Sequence, residues 1–175
     1  ILGMSGTRLF ITFDSSENFS VTAGSVLSID ARSLLSGGPA RTKCFTGPHL
    51  IDVAPPDVRD ESTNAYFLAA PFFSSSIRRL RLRTFPNVAN DAMTPLADIN
   101  VPAYGVPPSA TQPNGFLLDA GTSEFRRPSV QAGNFLWNVH TVDGGNGHPK
   151  VRLYKFSAGG ANPLMTLTLS TLANQ

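Results

Sequence analysis

The richest set of chemically able side chains lies between His140 and Lys150. His140, Asp143, Asn146, His148 and Lys150 fall within eleven residues, and Gly144, Gly145 and Gly147 let the backbone come close to a ligand. A ring nitrogen, a carboxylate and an amide together offer the hydrogen bonding of a glycan site. The same string also reads as a glycine-asparagine hairpin turn beside a strand histidine, and such turns need no function to explain them. Arg78, Arg79, Arg81 and Arg83 form the one marked charge cluster. Period two puts Arg79, Arg81 and Arg83 on one strand face and Leu80 and Leu82 on the other. Arg79 and Arg81 are thus candidates for an acidic glycan or phosphate, or else they face solvent opposite a carboxylate such as Asp98.

Other chemistry has weaker support. Asp14, Glu17 and Asn18 carry oxygen ligands but lack the spacing of a calcium loop, so no metal site is expected. Asn18-Phe19-Ser20 fits the glycosylation triplet. No serine stands in a Gly-x-Ser-x-Gly elbow, and no triad with His49, His140 or His148 follows from spacing. Cys44 reads as a buried or half-buried bystander, and Phe72-Phe73 as loop-to-core packing. Paired carboxylates for glycoside chemistry would have to be brought together by the fold.

The elements that must position these residues recur. Three apolar bursts, Leu9–Phe13, Tyr66–Ala70 and Leu136–His140, each read as a buried strand. Each is followed by a second strand beginning at Leu27, Leu80 or Val151, at offsets of 18, 14 and 15 residues. A proline (Pro39, Pro95, Pro163) then comes 12, 15 and 12 residues further on, where it should open an outer strand, since proline tolerates only an edge or first position. An innermost strand is expected before each burst: at Ile1–Gly6, around Leu50–Ala54, and at either Phe116–Asp119 or Ser129–Gln131. Pro55–Asn64 and Pro102–Asn114 read as solvated links, and Ala31–Leu35 and Val88–Ala92 as helical turns at most. Units of about 40 residues built of antiparallel strands predict an all-β fold, a partial β-propeller of about three blades, roughly 1–49, 50–102 and 116–172.

The string Asn134–Val142, a Gly/Asn loop and then Val151-Arg152-Leu153-Tyr154-Lys155-Phe156 resembles a blade of secreted, mostly bacterial β-propeller proteins near the sialidase-like propellers. Leu27–Gly38 and Tyr66-Phe67-Leu68 are similar to stretches of other blades in that group. The resemblance implies a fold and carries no catalytic motif: the Ser-x-Asp-x-Gly-x-Thr-Trp box of sialidases is absent, and Trp137 is the only tryptophan. As blade core, Trp137 is expected to be buried.

Composition bounds the rest. The chain has 175 residues, 41% apolar and only 15% charged, with 15 Gly and 14 Pro. It can form a core, its surface polarity comes from uncharged side chains, and long helices are unfavoured. A net charge of +2 gives no footprint for nucleic acid. One cysteine allows no internal disulfide, and no apolar run is long enough for a membrane span. Three blades leave bare sheet edges, so the chain, which opens Ile1-Leu2-Gly3, is expected to be a fragment or one subunit of a larger propeller. Its partners would be further blades from another chain, from copies of this one or from missing sequence. The function expected first is a non-catalytic module of a secreted or extracellular protein, without cofactor, serving assembly or binding of a glycan. The ligand would sit on the loop face carrying Asp14, Ser75 and the His140–Lys150 hairpin. The alternatives are a glycan-processing hydrolase or lyase, and a jelly-roll or sandwich shell protein.

Overall fold

The computed structural model describes residues 1–17, 20–71, 74–145 and 147–170. Asn18 of the glycosylation triplet and Phe72-Phe73 lie outside these. The chain is all-β, 58% strand and 7% helix. It opens with an antiparallel meander of β1 (Leu2–Ser5), β2 (Arg8–Glu17), β3 (Ser20–Asp30) and β4 (Thr42–Gly47). A short helix, α1 (Ala31–Leu35), follows β3 and is capped by the Asp30 side chain.

The middle section holds β5 (Val53–Ala54), β6 (Pro56–Val58), β7 (Asn64–Ala69), β8 (Ser74–Arg83), β9 (Ala92–Pro95) and β10 (Ile99–Tyr104). β5, β7 and β8 are antiparallel neighbours. The far edge of β8 is shared: β9 lies opposite Leu80–Arg83 and β10 opposite Ser74–Ile77. A small hairpin, β11 (Ala110–Thr111) and β12 (Leu117–Leu118), precedes the last meander. That meander is β13 (Ser129–Ala132), β14 (Phe135–Asp143), β15 (Pro149–Ser157) and β16 (Pro163–Ser170). Of the two expected inner strands, Ser129–Gln131 therefore pairs with the third burst, whereas Leu117-Leu118 belongs to the separate hairpin.

The first and last meanders join into one nine-stranded sheet through β6, which runs parallel to both β1 and β13. The segment read as a solvated link is thus, at Pro55–Val58, a central strand. It tolerates proline because its bonds to β13 use the Pro55 carbonyl and the Arg59 N–H and ask nothing of Pro56. Gly3 allows the close crossing, since a Cβ there would stand 2.4 Å from the Pro56 carbonyl oxygen.

The three bursts differ in their surroundings. In β7 the odd residues Ala65, Phe67 and Ala69 pack with Phe10, Val26, Leu80 and Leu82 against the first meander. The even residue Leu68 packs with Leu136, Tyr154 and Phe156 against the last. A strand covered on both faces needs a continuous apolar run, and Ala65–Ala70 supplies one. β2 and β14 instead alternate. Phe10 and Leu136 point inward and are fully buried, while Leu9, Ile11, Phe13, Phe135 and Val139 point outward, partly or largely exposed.

The outward face forms one cross-strand row over all nine strands, through Met165, Lys155, Trp137, Val130, Asp57, Met4, Leu9, Ile29 and Thr42. Trp137 belongs to this row and is half-buried, not buried, with the Lys155 ammonium 4.8 Å from its ring centre. Cys44 likewise faces out and is exposed, because it stands opposite Leu27 on the outward side of β3.

The prolines are not equivalent. Pro163 opens β16, but Pro95 closes β9, and Pro39 lies before β4 begins. At Pro95 the chain gives up its place on β8 to the segment leading into β10, and a residue without an N–H suits the end of a ladder.

Phe67, with no exposed surface and its ring edge-on to Phe10 at 5.2 Å, is the test of two-sided burial. Phe67→Ala should cost about 3–5 kcal/mol, against about 1 kcal/mol for the half-buried Trp137→Ala. Urea midpoints of the two variants measure the difference.

Candidate functional site

The residues singled out for chemistry do not come together. His140 lies inside the core among Tyr104, Phe125 and Tyr154, with ring centres 4.8, 5.1 and 5.4 Å away. Its Nδ1–H donates to the Ser123 carbonyl and its Nε2 faces the Tyr154 hydroxyl at 3.3 Å. Burial pushes its pKa down to about 4, so the ring is neutral. Asp143 and His148 are exposed at the hairpin tip, where the Asp143 carboxylate accepts the Gly145 N–H at 2.8 Å. Gly145 and Gly147 take φ of 75° and 74°, which the turn requires. Asn146 lies outside the described residues.

Arg79 and Arg81 share a face of β8, as period two demands, but that face looks toward the last meander and not toward solvent. The Arg79 guanidinium donates to the carbonyls of Ala158 at 2.9 Å and Gly160 at 2.8 Å, and loss of solvent draws its pKa below the usual arginine range. It clamps the β15–β16 turn to the middle sheet. Arg81 is half-buried opposite Tyr66 on β7.

A different set converges on a cavity of about 170 Å³. Ile1, Thr12, Phe13 and Asp14 come from the first meander, Asp52 and Val53 from the start of β5, and Glu124, Phe125 and Arg126 from the segment leading into β13. Asp14 ends the apolar part of β2. The Asp52 turn lies against β3 because Gly24 has no side chain: a Cβ there would stand 1.9 Å from the Leu50 carbonyl oxygen. Asp52 is the one described non-glycine residue with positive φ, 58°, and its N–H donates to Asp14 Oδ1 at 3.2 Å.

Burial first, then the negative Glu124 and Asp14, raise the Asp52 carboxyl to about 6. Glu124 is itself nearly buried, accepts the Thr122 hydroxyl at 3.0 Å and is ion-paired with the exposed Arg126 guanidinium. The cavity can therefore hold one proton on an acid poised near neutrality, accept hydrogen bonds from hydroxyl groups, and offer the exposed Phe13 as an apolar neighbour. Among the described residues no group of three or more His, Cys, Asp or Glu is arranged to hold a metal ion.

Asp14 was legible in sequence as a candidate oxygen ligand. Asp52 was not, although a lone charge inside Leu50-Ile51-Asp52-Val53-Ala54 is a usable signal. Glu124 carries none, because Asp52 and Asp14, with which it shares the cavity, lie more than 70 residues away along the chain.

Comparison with known proteins finds no matching family model, no matching curated protein and no matching solved structure.

Asp52 gives a test by pH. Its folded pKa is raised, so the stabilisation tied to its proton is complete below the unfolded value of 3.8 and is lost as pH rises through about 6. Asp52→Asn keeps a side chain that tolerates positive φ and removes the charge. The variant should be more stable than the parent at pH 8, by on the order of 1 kcal/mol for a half-exposed site, and nearly equal to it at pH 4. Urea unfolding at the two pH values reads the difference.

Proposed function

We propose that the chain is a three-blade sector of a β-propeller from a secreted or surface protein, a non-catalytic module that works in assembly and glycan binding. One observation carries this reading. The middle meander buries both faces, each against another meander, while the flanking meanders present their second, largely apolar face to solvent. Successive antiparallel units of four or five strands, with inner strands β1, β5–β6 and β13 gathered together, suit blades around an axis. A jelly roll would need long crossovers between sheets, whereas among the described residues only β6 leaves its own unit, to pair with β1 and β13. The resemblance of Asn134–Phe156 to a propeller blade points the same way, and the low charge suits an extracellular β protein.

The cavity at Asp14, Asp52 and Glu124 is where segments of all three units meet, and convergence of that kind is where ligand pockets form. Carboxylates that accept from hydroxyls, beside the exposed Phe13, suit a sugar ring. A hydrolytic reading has one observation of its own, a carboxyl held near 6 beside a second carboxylate, which is the arrangement of a general acid and its partner.

Hydroxyl-radical footprinting tests the sector. Trp137 and Met165 should be protected in the native protein; a monodisperse 18.7 kDa species in which both are freely oxidised would refute it. A glycan array tests the ligand. The parent chain should bind, the Asp14→Ala/Glu124→Gln variant should lose at least tenfold, and Asp143→Ala/His148→Ala should bind as the parent does. Binding lost only with the hairpin pair would move the site to the hairpin. Release of reducing ends that stops in Asp52→Asn would favour the hydrolase.

A further inference from the structure

The sector reading leaves open what covers the two outer faces, and the structure narrows the choice. We infer that the cover is a second copy of this chain, so that two copies close head to tail into one six-bladed ring. This rests on the sector reading and goes one step past it.

The packing inside the chain has a direction. The first meander turns Phe10 toward the odd face of β7, and the even face of β7 meets Leu136 of the last meander. The open faces are therefore opposite ends of one stack: Ile11 marks the leading face, Leu167 the trailing one, and the two are 37% and 44% exposed. Continuing the stack places a trailing face on a leading face, a contact of the same kind as the two already made within the chain. Head-to-tail contacts close into rings when the rotation allows. Known propellers close with about four to eight blades. One copy offers three and three copies would offer nine, so two copies, with six, are the closed solution.

The area is sufficient. Four strands about 4.8 Å apart and about eight residues long at 3.3 Å each give roughly 500 Å² per outer face. Two faces per copy then bury roughly 1,000 Å² on each partner, above the roughly 800 Å² of a standard interface. Both contacts form together about a twofold axis, so each strengthens the other through its effective concentration.

The test uses light scattering after size exclusion on the chain itself, on Ile11→Lys and on Leu167→Lys. Both substitutions lie on the solvent side, and far-ultraviolet circular dichroism confirms that the variants fold. The parent should run at about 37 kDa, twice 18.7 kDa. Each variant alone loses both contacts and should run as a monomer. An equimolar mixture retains one unaltered leading-to-trailing contact, of roughly 500 Å², and should associate more weakly than the parent but more strongly than either variant alone.

A parent monomer, trimer or open polymer would overturn the ring. So would variants that stay dimeric, or a mixture that associates no more strongly than either variant alone. A parent assembly other than a dimer in which Trp137 and Met165 remain protected would end the two-copy inference and leave the sector standing. A monomer with Trp137 and Met165 freely oxidised would end both.

Discussion

The structure depends on a sheet that is apolar on both sides. β7 and β8 present Phe67, Leu80 and Leu82 to one face and Leu68 and Ile77 to the other, none of them exposed. Burying side chains of this size is worth about 1.5–3 kcal/mol each, so neither face can stay in water. A meander must lie on each side, and the chain supplies them from its two ends. That arrangement explains the nine-stranded sheet: the end meanders flank the middle one, and their inner strands come close enough for β6 to pair with both. The stitch at β6 is a consequence of the sandwiching.

Buried polar groups then fix how the layers sit. Asp91 is fully buried and takes a bidentate bond from Arg8, at 2.9 and 3.2 Å, together with the Ser28 hydroxyl at 2.8 Å and the Phe85 N–H at 2.9 Å. Lys43 reaches the Asp91 carbonyl at 2.6 Å. This network ties β2, β3 and β4 to the loop before β9. On the other side Gln131 of β13 accepts the Tyr66 N–H and donates to the Asn64 carbonyl, and Arg79 holds the β15–β16 turn. A buried ion pair is weak as a source of net stability, since desolvation offsets most of its attraction. Its directionality matters more here. Apolar faces slide past one another at small cost, but each of these bonds is satisfied in only one register.

What could be read from the sequence follows from range. The pairings of Leu9 with Ile29, Phe67 with Leu80 and Thr141 with Val151 join strands close along the chain, and period-two patterning marks them. Which of two apolar stretches would pair with β14 was open, because Leu117-Leu118 and Ser129–Gln131 look alike as short strands. The difference between the bursts was muted as well. A run such as Leu136-Trp137-Asn138-Val139-His140 looks buried by composition, yet its outward half, Trp137 and Val139, meets solvent. Pro55-Pro56 reads as a loop by every local rule, and only the crossing of two distant strands makes it central. Arg79 shows the limit most clearly: its place on the strand face was legible, but not that another meander covers that face.

The cavity follows from the same geometry. Three inner strands brought side by side must begin near one another, and the segments that feed them, ending at Ile1, Asp52 and Glu124–Arg126, surround one space. A chain packing only for stability would fill that space with side chains of good rotamer and ordinary backbone. Instead it holds a residue at φ 58° and places its carboxyl where burial and two neighbouring carboxylates oppose ionisation. Strain and an unfavourable charge environment at one residue, where three stretches of the chain converge, are costs the rest of the fold absorbs. Such costs persist where the surroundings leave no alternative or where the site does work. Gly24 indicates how firmly the surroundings hold: the Asp52 turn is seated against β3 at a distance that no side chain could share.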